Sequence, residues 1–400
     1  MKIGLFTDSY PPYINGVSTS VENLRSALIK LGHTVYVVTV NDSLTNYNYN
    51  QNTKILRIPG IKTKIYNYRL SNVHSIKATK IIKSWNLDII HSHTEFSIGI
   101  YARTIAKKYR IPLVHTYHTL YEDYTHYITH GHFDKLTKSF IKRFTKYYCE
   151  KTANHTIVPT DKIYKLFKEK YNINENVSIV PSGINIDKFL KESISSKEIE
   201  KLKNKFKIKK EDFVILFVGR LASEKNIEFL IESQKKILKK TKKPVKLLIV
   251  GDGPDKEKYI TMARSINIYN NVIFTGSVSQ DDVQNYYHIA NIFATASNTE
   301  TQGLTVIEAI ASNLIPLCIN DMAFTNFLPN ECIFRDEEEY INKISSYIKN
   351  REKYQKNSKK LKEIINRYSC ESYAINVLEI YNHVIKEYKM TMKVRDYEEE

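Results

Sequence analysis

The chain has 400 residues, 42% of them hydrophobic and 26% charged, which is enough for two or three domains that each bury a core. Lys and Arg outnumber Asp and Glu by 60 to 43, and the excess is uneven: residues 1–185 hold 25 basic and 12 acidic side chains, the remainder 35 and 31. A basic half points to an anionic partner, whether nucleic acid, membrane or small ligand, and no run approaches the roughly 18 apolar residues needed to span a bilayer.

The chain runs straight into a predicted strand, Lys2–Phe6, with no charged-then-apolar leader. Its four cysteines, Cys149, Cys318, Cys332 and Cys370, lie far apart without metal-ligand spacing. They read as reduced thiols of a cytosolic protein. After the first strand, Pro11, Pro12 and Asn15-Gly16 force a turn, and a helix is predicted from Val17 to Lys30. Gly16 would let backbone approach a ligand at that helix start. The three glycines of a dinucleotide fingerprint are missing, so a plain strand–helix connection is the simpler reading of this loop alone.

Further apolar runs follow at Thr34–Val40, Asp88–Ser92, Pro112–Thr116 and His155–Pro159. Two of them end in histidines: His91 and His93 before Glu95, then His115 and His118. Zinc is conceivable there, but the alternation across a strand supplies no further ligand. Packed histidines, or histidines that hydrogen-bond a sugar or phosphate, both fit. Phe133 to Lys151 predicts an amphipathic helix. Leu136, Phe140, Phe144 and Tyr148 recur every four residues, with Lys135, Lys138, Lys142, Arg143 and Lys146 largely off that stripe. Such a helix suits an anionic membrane surface, and equally an ordinary surface helix packing its stripe inward.

The turn-like Pro181-Ser-Gly-Ile-Asn and the charged stretch after it set a domain boundary near Gly183–Lys207. A second series of strands is predicted at Phe213–Val218, Val245–Val250, Val272–Phe274, Ile292–Thr295 and Ile315–Ile319. Strands alternating with helices make this an α/β chain of two doubly wound parallel domains, with ligands expected at the carboxyl ends of strands. Gly219-Arg220, with Lys225 five residues on, follows the first of these strands. Arg220 and Lys225 could both reach a phosphate; a surface charge paired with Glu224 is the plainer alternative. Gly251-Asp-Gly-Pro254 reads as a structural turn. Glu300 and Glu308 bracket Thr-Gln-Gly-Leu-Thr-Val-Ile, with a helix opening near Gly303. A helix start favours phosphate and the flanking carboxylates can accept hydroxyl hydrogen bonds, a pattern suited to a nucleotide-sugar. Beyond about residue 335 the chain looks helical and charged, and Asp396-Tyr-Glu-Glu-Glu should fray.

In order and spacing, Asn15-Gly16-Val17, His118, Gly219-Arg220 with Lys225, Gly251-Asp-Gly and the glutamate pair resemble the retaining GT-B glycosyltransferases of the glycosyltransferase 4 type. The likeness covers nearly the whole chain. His93-Thr-Glu-Phe-Ser-Ile-Gly, Thr116-Tyr-His-Thr-Leu-Tyr-Glu-Asp-Tyr and Glu300-Thr-Gln-Gly-Leu-Thr are similar to the branch that glucosylates diacylglycerol, where Gln often stands at position 302. The resemblance implies a GT-B fold, two Rossmann-like domains facing a central cleft. Residues 1–185 would bind acceptor and dock on the membrane, and residues 186–375 would bind the nucleotide-sugar. Residues 376–400 would form a C-terminal helix able to cross back to the first domain, ending in an acidic tail.

It also implies residue roles. Glu308 would take the ribose hydroxyls, Glu300 the donor sugar, and the region around Val278 the base. Arg220, Lys225 and the amides at Gly303 and Leu304, with Thr305 beside them, would hold the diphosphate, beside Gly219. Gly16 and Val17 would approach the diphosphate, and His118 the sugar or acceptor. The implied donor is UDP-glucose and the implied acceptor diacylglycerol at an anionic membrane, with the protein peripheral on the cytoplasmic face; a transferase of the same fold that uses another sugar, galactose or mannose, or a soluble acceptor is the alternative. No bound metal or cofactor is expected, because Arg and Lys meet the leaving charge; stimulation by a divalent cation is left open. A basic nucleic-acid-binding protein is the distant alternative, but zinc finger, RNA-binding sheet and basic zipper signatures are all missing.

Overall fold

The structure is a computed structural model. It describes the backbone of all residues except 14, 63–68, 72–74, 121–133, 351–360 and 400; side chains at 134–138, 193 and 395–399 are also outside the description. The chain forms two compact units, Met1–Gly183 together with Cys370–Glu400, and Ile184–Ser369.

In the first unit the strands are β1 (Lys2–Phe6), β2 (Thr34–Val40), β3 (Asn48–Asn50), β4 (Ile55–Ile58), β5 (Gly60–Lys62), β6 (Arg69–Ser71), β7 (Ile89–Ser92), β8 (Leu113–Thr116), β9 (His155–Val158) and β10 (Val177–Ile179). Eight of them make one sheet in the order β10-β9-β8-β7-β1-β2-β4-β3, parallel except for the β3–β4 edge pair. The central strands β7, β8 and β9 are buried along their length, as expected of a parallel sheet covered on both faces. The order reverses at β1, between β2 and β7.

The first helix, Gly16–Lys30, is capped by Asn15, whose side chain accepts from the Ser18 amide at 2.8 Å. The final helix begins at Cys370, not at 376, and belongs to this first unit. Its Tyr373, Val377, Tyr381 and Val384 are buried with Val21, Leu24 and Leu28 of the first helix, a helical spacing that seals one stripe. Counting this helix changes the charge picture. Its acidic residues bring the first unit to 29 basic and 19 acidic side chains, against 31 and 24 in the second. The two units therefore carry net charges of +10 and +7, a much smaller contrast than a split at residue 185 suggests.

The second unit holds β11 (Phe213–Val218), β12 (Val245–Val250), β13 (Val272–Phe274), β14 (Ile292–Thr295), β15 (Pro316–Ile319) and β16 (Ile333–Phe334). All are parallel, in the order β13-β12-β11-β14-β15-β16. The order reverses between β11 and β14. In open α/β sheets this is where the connecting loops diverge and leave a crevice beyond the strand ends. Both units are Rossmann-like, so the chain has the two domains of the GT-B class.

Candidate active site

Two loops leave the second unit's sheet at its switch point, one after β11 and one after β14. The first carries Gly219 and Arg220, a short turn at Ser223–Lys225, and then a helix from Ile227. The second carries Ala296 to Gly303 ahead of the helix Leu304–Ala311. Polar bonds join them. Thr299 donates its hydroxyl to the Glu224 carbonyl at 3.3 Å, and Ser297 donates to the same oxygen at 3.4 Å. Lys225 Nζ donates to Glu300 Oε1 at 2.5 Å, with both side chains about one-fifth exposed. The sequence alternative that paired a surface charge with Glu224 does not hold for Lys225, which faces Glu300.

Glycine geometry explains why the first loop is placed so firmly. A Cβ on Gly251 would lie 1.9 Å from the Gly219 carbonyl, and one on Gly253 would lie 2.3 Å from that of Leu221. The Leu221 amide donates to Asp252, and the Asp255 amide to Leu221, each at 3.0 Å. The Gly251-Asp-Gly turn is thus a backbone brace beneath Arg220, in keeping with its structural reading. Gly303 performs a different task. It takes left-handed φ of +77°, and a Cβ there would sit 2.6 Å from the Phe324 ring. Only glycine fits both demands, so the helix after it starts close against Phe324.

Glu308, in the second turn of that helix, is half-buried. Tyr287 Oη donates to its Oε2 at 2.7 Å and lies 3.3 Å from the Thr305 carbonyl. Burial pushes the Glu308 carboxyl up to about 7, while the Tyr287 hydrogen bond and the Lys188 charge oppose that rise. Burial and Glu308 together drive the Tyr287 phenol well above its ordinary range. Lys188 donates to the Gln280 carbonyl and lies 3.5 Å from Asp281, just beyond Val278, which is half-buried against this unit's core. Sequence reading missed Tyr287 and Lys188. Tyr287 follows Tyr286 in a segment that reads as packing surface, and it is wholly buried; its one polar atom meets Glu308.

In the first unit, Gly16 opens the first helix and a Cβ there would meet nothing within 4 Å; Val17 follows it. The strand-end histidines do cluster. His93 Nδ1 lies 3.1 Å from His118 Nε2. His91 is tied to Tyr381 at 2.6 Å and Thr116 at 2.7 Å, and His115 contacts Ser92 at 3.0 Å and Glu95 at 3.1 Å. Burial lowers the basicity of all four, His118 to about 3, so these are neutral rings despite the nearby Glu95. Among the described residues no group of three or more His, Cys, Asp or Glu side chains is arranged to hold a metal ion.

The amphipathic segment is an α-helix from Asp134 to Lys146, followed by a π-helical turn at Tyr147–Lys151. Its stripe does not stay on one surface. Tyr148 is buried, Phe144 is half-buried and Phe140 is 69% exposed, with Phe140 and Phe144 stacked at 6.4 Å. Tyr148 is held by Arg103, whose guanidinium lies 3.2 Å from the ring centre. Arg143 is exposed and Lys142 half-buried, but Lys146 Nζ donates to the Asn172 carbonyl at 3.0 Å. The side chains of Lys135, Leu136 and Lys138 lie outside the described residues. Among the described residues no helix is long and apolar enough to cross a membrane.

Two family models match the chain along its length: one described as Glycosyltransferase Family 4 over residues 14–188, and one described as Glycosyl transferases group 1 over residues 198–364. The alpha-monoglucosyldiacylglycerol synthase of Acholeplasma laidlawii is 36% identical over 403 residues, covering 96% of this chain and 98% of that protein. The enzyme of the same name from Streptococcus pneumoniae is 34% identical, covering 84% and 74%. The chain belongs to the GT-B glycosyltransferases of family 4. Solved structures agree on the fold. Sucrose-phosphate synthase from Thermosynechococcus elongatus superposes with a TM-score of 0.76 at 17% identity, over 96% of this chain and 99% of that one. Anabaena Alr3699/HepE, in complex with UDP-glucose, gives 0.75 at 15% identity, over 96% and 100%. This glycosyltransferase is a hexosyltransferase, and its strand-end loops are where the catalytic machinery of such a fold is sought.

Proposed function

We propose that the enzyme transfers glucose from UDP-glucose to the 3-hydroxyl of 1,2-diacylglycerol at an anionic membrane surface, with retention of anomeric configuration. The observation that carries this reading is the 36% identity, over nearly the full length of both chains, to a protein named for making monoglucosyldiacylglycerol.

The second unit takes the donor. Its two joined loops place cationic Lys225 beside anionic Glu300 at the sheet's switch point. A diphosphate would draw Lys225 toward itself, with Arg220 as its partner and the first amides of the helix at Gly303, Leu304 and Thr305 aimed at the same charge. These groups stabilise the phosphate as the bond to the sugar breaks. Glu300 is then released to accept from the sugar hydroxyls. Glu308 accepts the ribose hydroxyls, steadied by Tyr287, and Val278 borders the base. In the first unit, Gly16 and Val17 approach the diphosphate and His118 contacts the sugar or the lipid hydroxyl. Arg220 and Lys225 supply the positive charge that a metal supplies elsewhere; whether a divalent cation stimulates the reaction is read directly from an activity assay.

Purified enzyme incubated with radiolabelled UDP-glucose and vesicles containing diacylglycerol and an anionic lipid is expected to yield a labelled glycolipid. Absence of labelled lipid with both UDP-glucose and UDP-galactose would remove the lipid acceptor.

A further inference from the structure

Lys188 stands in the short helix Ile186–Phe189, which is fixed against the helices of Tyr287 and Glu308. The Phe189 ring meets the Tyr287 ring edge to face at 5.6 Å, and His288 Nε2 donates to the Phe189 carbonyl at 2.9 Å. The same short helix lies against Leu304–Ala311, which carries Glu308. From this platform Lys188 reaches a residue 92 positions away and donates to the Gln280 carbonyl. Its charge is near enough to Glu308 to oppose the rise of that carboxyl.

The bonded loop is the one whose Val278 borders the base in the proposed site. It is tied down where the Gly276 carbonyl accepts from the Gly251 amide at 3.1 Å. Further on, the Ser279 carbonyl accepts from the Asp282 and Val283 amides at 3.2 and 3.1 Å, which turns the chain into the helix Val283–His288. Val278 lies between these ties, and the Gln280 carbonyl just beyond is held by an ammonium, a charge-assisted bond stronger than a neutral one. Lys188 is one-quarter exposed. Its 3.5 Å contact with Asp281 contributes less, because that carboxylate is almost wholly exposed. A loop pinned beside the ribose carboxylate limits the space for the base, and a two-ring purine needs more of it than a one-ring pyrimidine. We propose that Lys188 is a positioning residue for base specificity: by holding the Gln280 carbonyl it keeps the loop around Val278 where a pyrimidine is selected over a purine. This rests on the nucleotide site of the proposed function.

Calorimetric titration of the full chain with UDP and with ADP tests this. Lys188→Met keeps the length of the side chain and removes the donor. It should raise the Kd for UDP by roughly 10-fold, the scale of one lost hydrogen bond to a charged group, while the Kd for ADP changes by less than about 3-fold. The preference for UDP over ADP should therefore shrink. Lys188→Arg, which keeps a cationic donor, and Asp281→Asn, which removes only the exposed contact, should each hold the parental preference within about 3-fold. In the vesicle assay Lys188→Met should raise the KM for UDP-glucose roughly 10-fold with kcat within about 3-fold of the parent, the mark of lost uniform binding. Equal weakening of UDP and ADP, an unchanged UDP affinity, a Lys188→Arg chain as impaired as Lys188→Met, or a melting temperature that falls in step with UDP affinity would each overturn the proposal. If Glu308→Ala leaves UDP affinity at the parental level, the nucleotide site itself lies elsewhere and this role for Lys188 falls with it.

Discussion

Lys225 and Glu300 stand 2.5 Å apart, joining the loop after β11 to the loop after β14 where the strand order of the second unit reverses. Each side chain there is only about one-fifth exposed, so the attraction between the charges is largely offset by the cost of desolvating them and the pair adds little net stability. Its value lies in keeping a cation and a carboxylate poised beside each other. Lys225→Ala should therefore leave the melting temperature within a few degrees of the parent while lowering kcat/KM by roughly 100-fold or more, the scale of losing one electrostatic contact to developing charge. An equal loss of melting temperature and activity would mean that the pair is structural.

Glu308 titrates in the accessible range. Its carboxyl is raised from the ordinary 4.5 to about 7, chiefly by burial. The folded state therefore keeps a proton that the unfolded chain has released. The stability this gives is fully present below pH 4.5 and is lost as pH rises through 7, by up to about 3 kcal/mol. Urea titrations of the parent and of Glu308→Gln at pH 5 and pH 7.5 should show that the parent loses more stability across this window than the variant. Parallel curves would contradict the raised carboxyl.

Tyr287→Phe removes the hydrogen bond that favours the ionised Glu308. The carboxyl should rise further, and UDP should bind less tightly at pH 7 by roughly 5- to 10-fold, the worth of one hydrogen bond to a charged group. Calorimetric titration with UDP reads this directly. Affinity equal to the parent would show that Tyr287 has no bearing on nucleotide binding through Glu308.

Gly303→Ala meets both a left-handed φ of +77° and the Phe324 ring at 2.6 Å. A cost of about 1–3 kcal/mol is expected from the backbone conformation alone, with a larger loss of UDP affinity as the helix start is displaced. A variant of parental stability and affinity would show that close packing of Gly303 on Phe324 does not matter.

The helix Asp134–Lys146 offers a test with built-in contrast. Phe140→Ser changes an exposed side chain and should weaken vesicle flotation without lowering thermal stability. Tyr148→Ser cuts into the core beneath Arg103 and should lower stability by about 3 kcal/mol or more. Unchanged flotation of Phe140→Ser on anionic vesicles would argue that this aromatic does not touch the membrane.

Much of this was legible in the residues. The central strands are short apolar runs because both of their faces are covered, so β1, β2 and all of β11 to β15 stand within a residue of their expected limits. The short strands β3 to β6, β10 and β16, at or beside sheet edges, do not stand out as buried apolar runs. Glu300 and Glu308 announced themselves by spacing, and Lys225 by following a strand. Tyr287 did not, because a buried aromatic in a helix is indistinguishable by pattern from a packing residue until its hydroxyl is seen against Glu308. The stripe ending at Tyr148 has the spacing of a single face, but Tyr148 lies in a π-helical turn and is buried. The charge contrast of the two halves is small once the final helix is counted with the first unit, through contacts such as Ser20 with Tyr373, 353 residues apart in sequence, that no local signal reports.

The most direct test of the donor site is an experimental structure of the enzyme with UDP-glucose. The diphosphate is expected against Arg220, Lys225 and the amides at Gly303 and Leu304, the ribose hydroxyls on Glu308, and Lys225 drawn away from Glu300. A diphosphate bound elsewhere, with the Lys225–Glu300 pair intact, would contradict it.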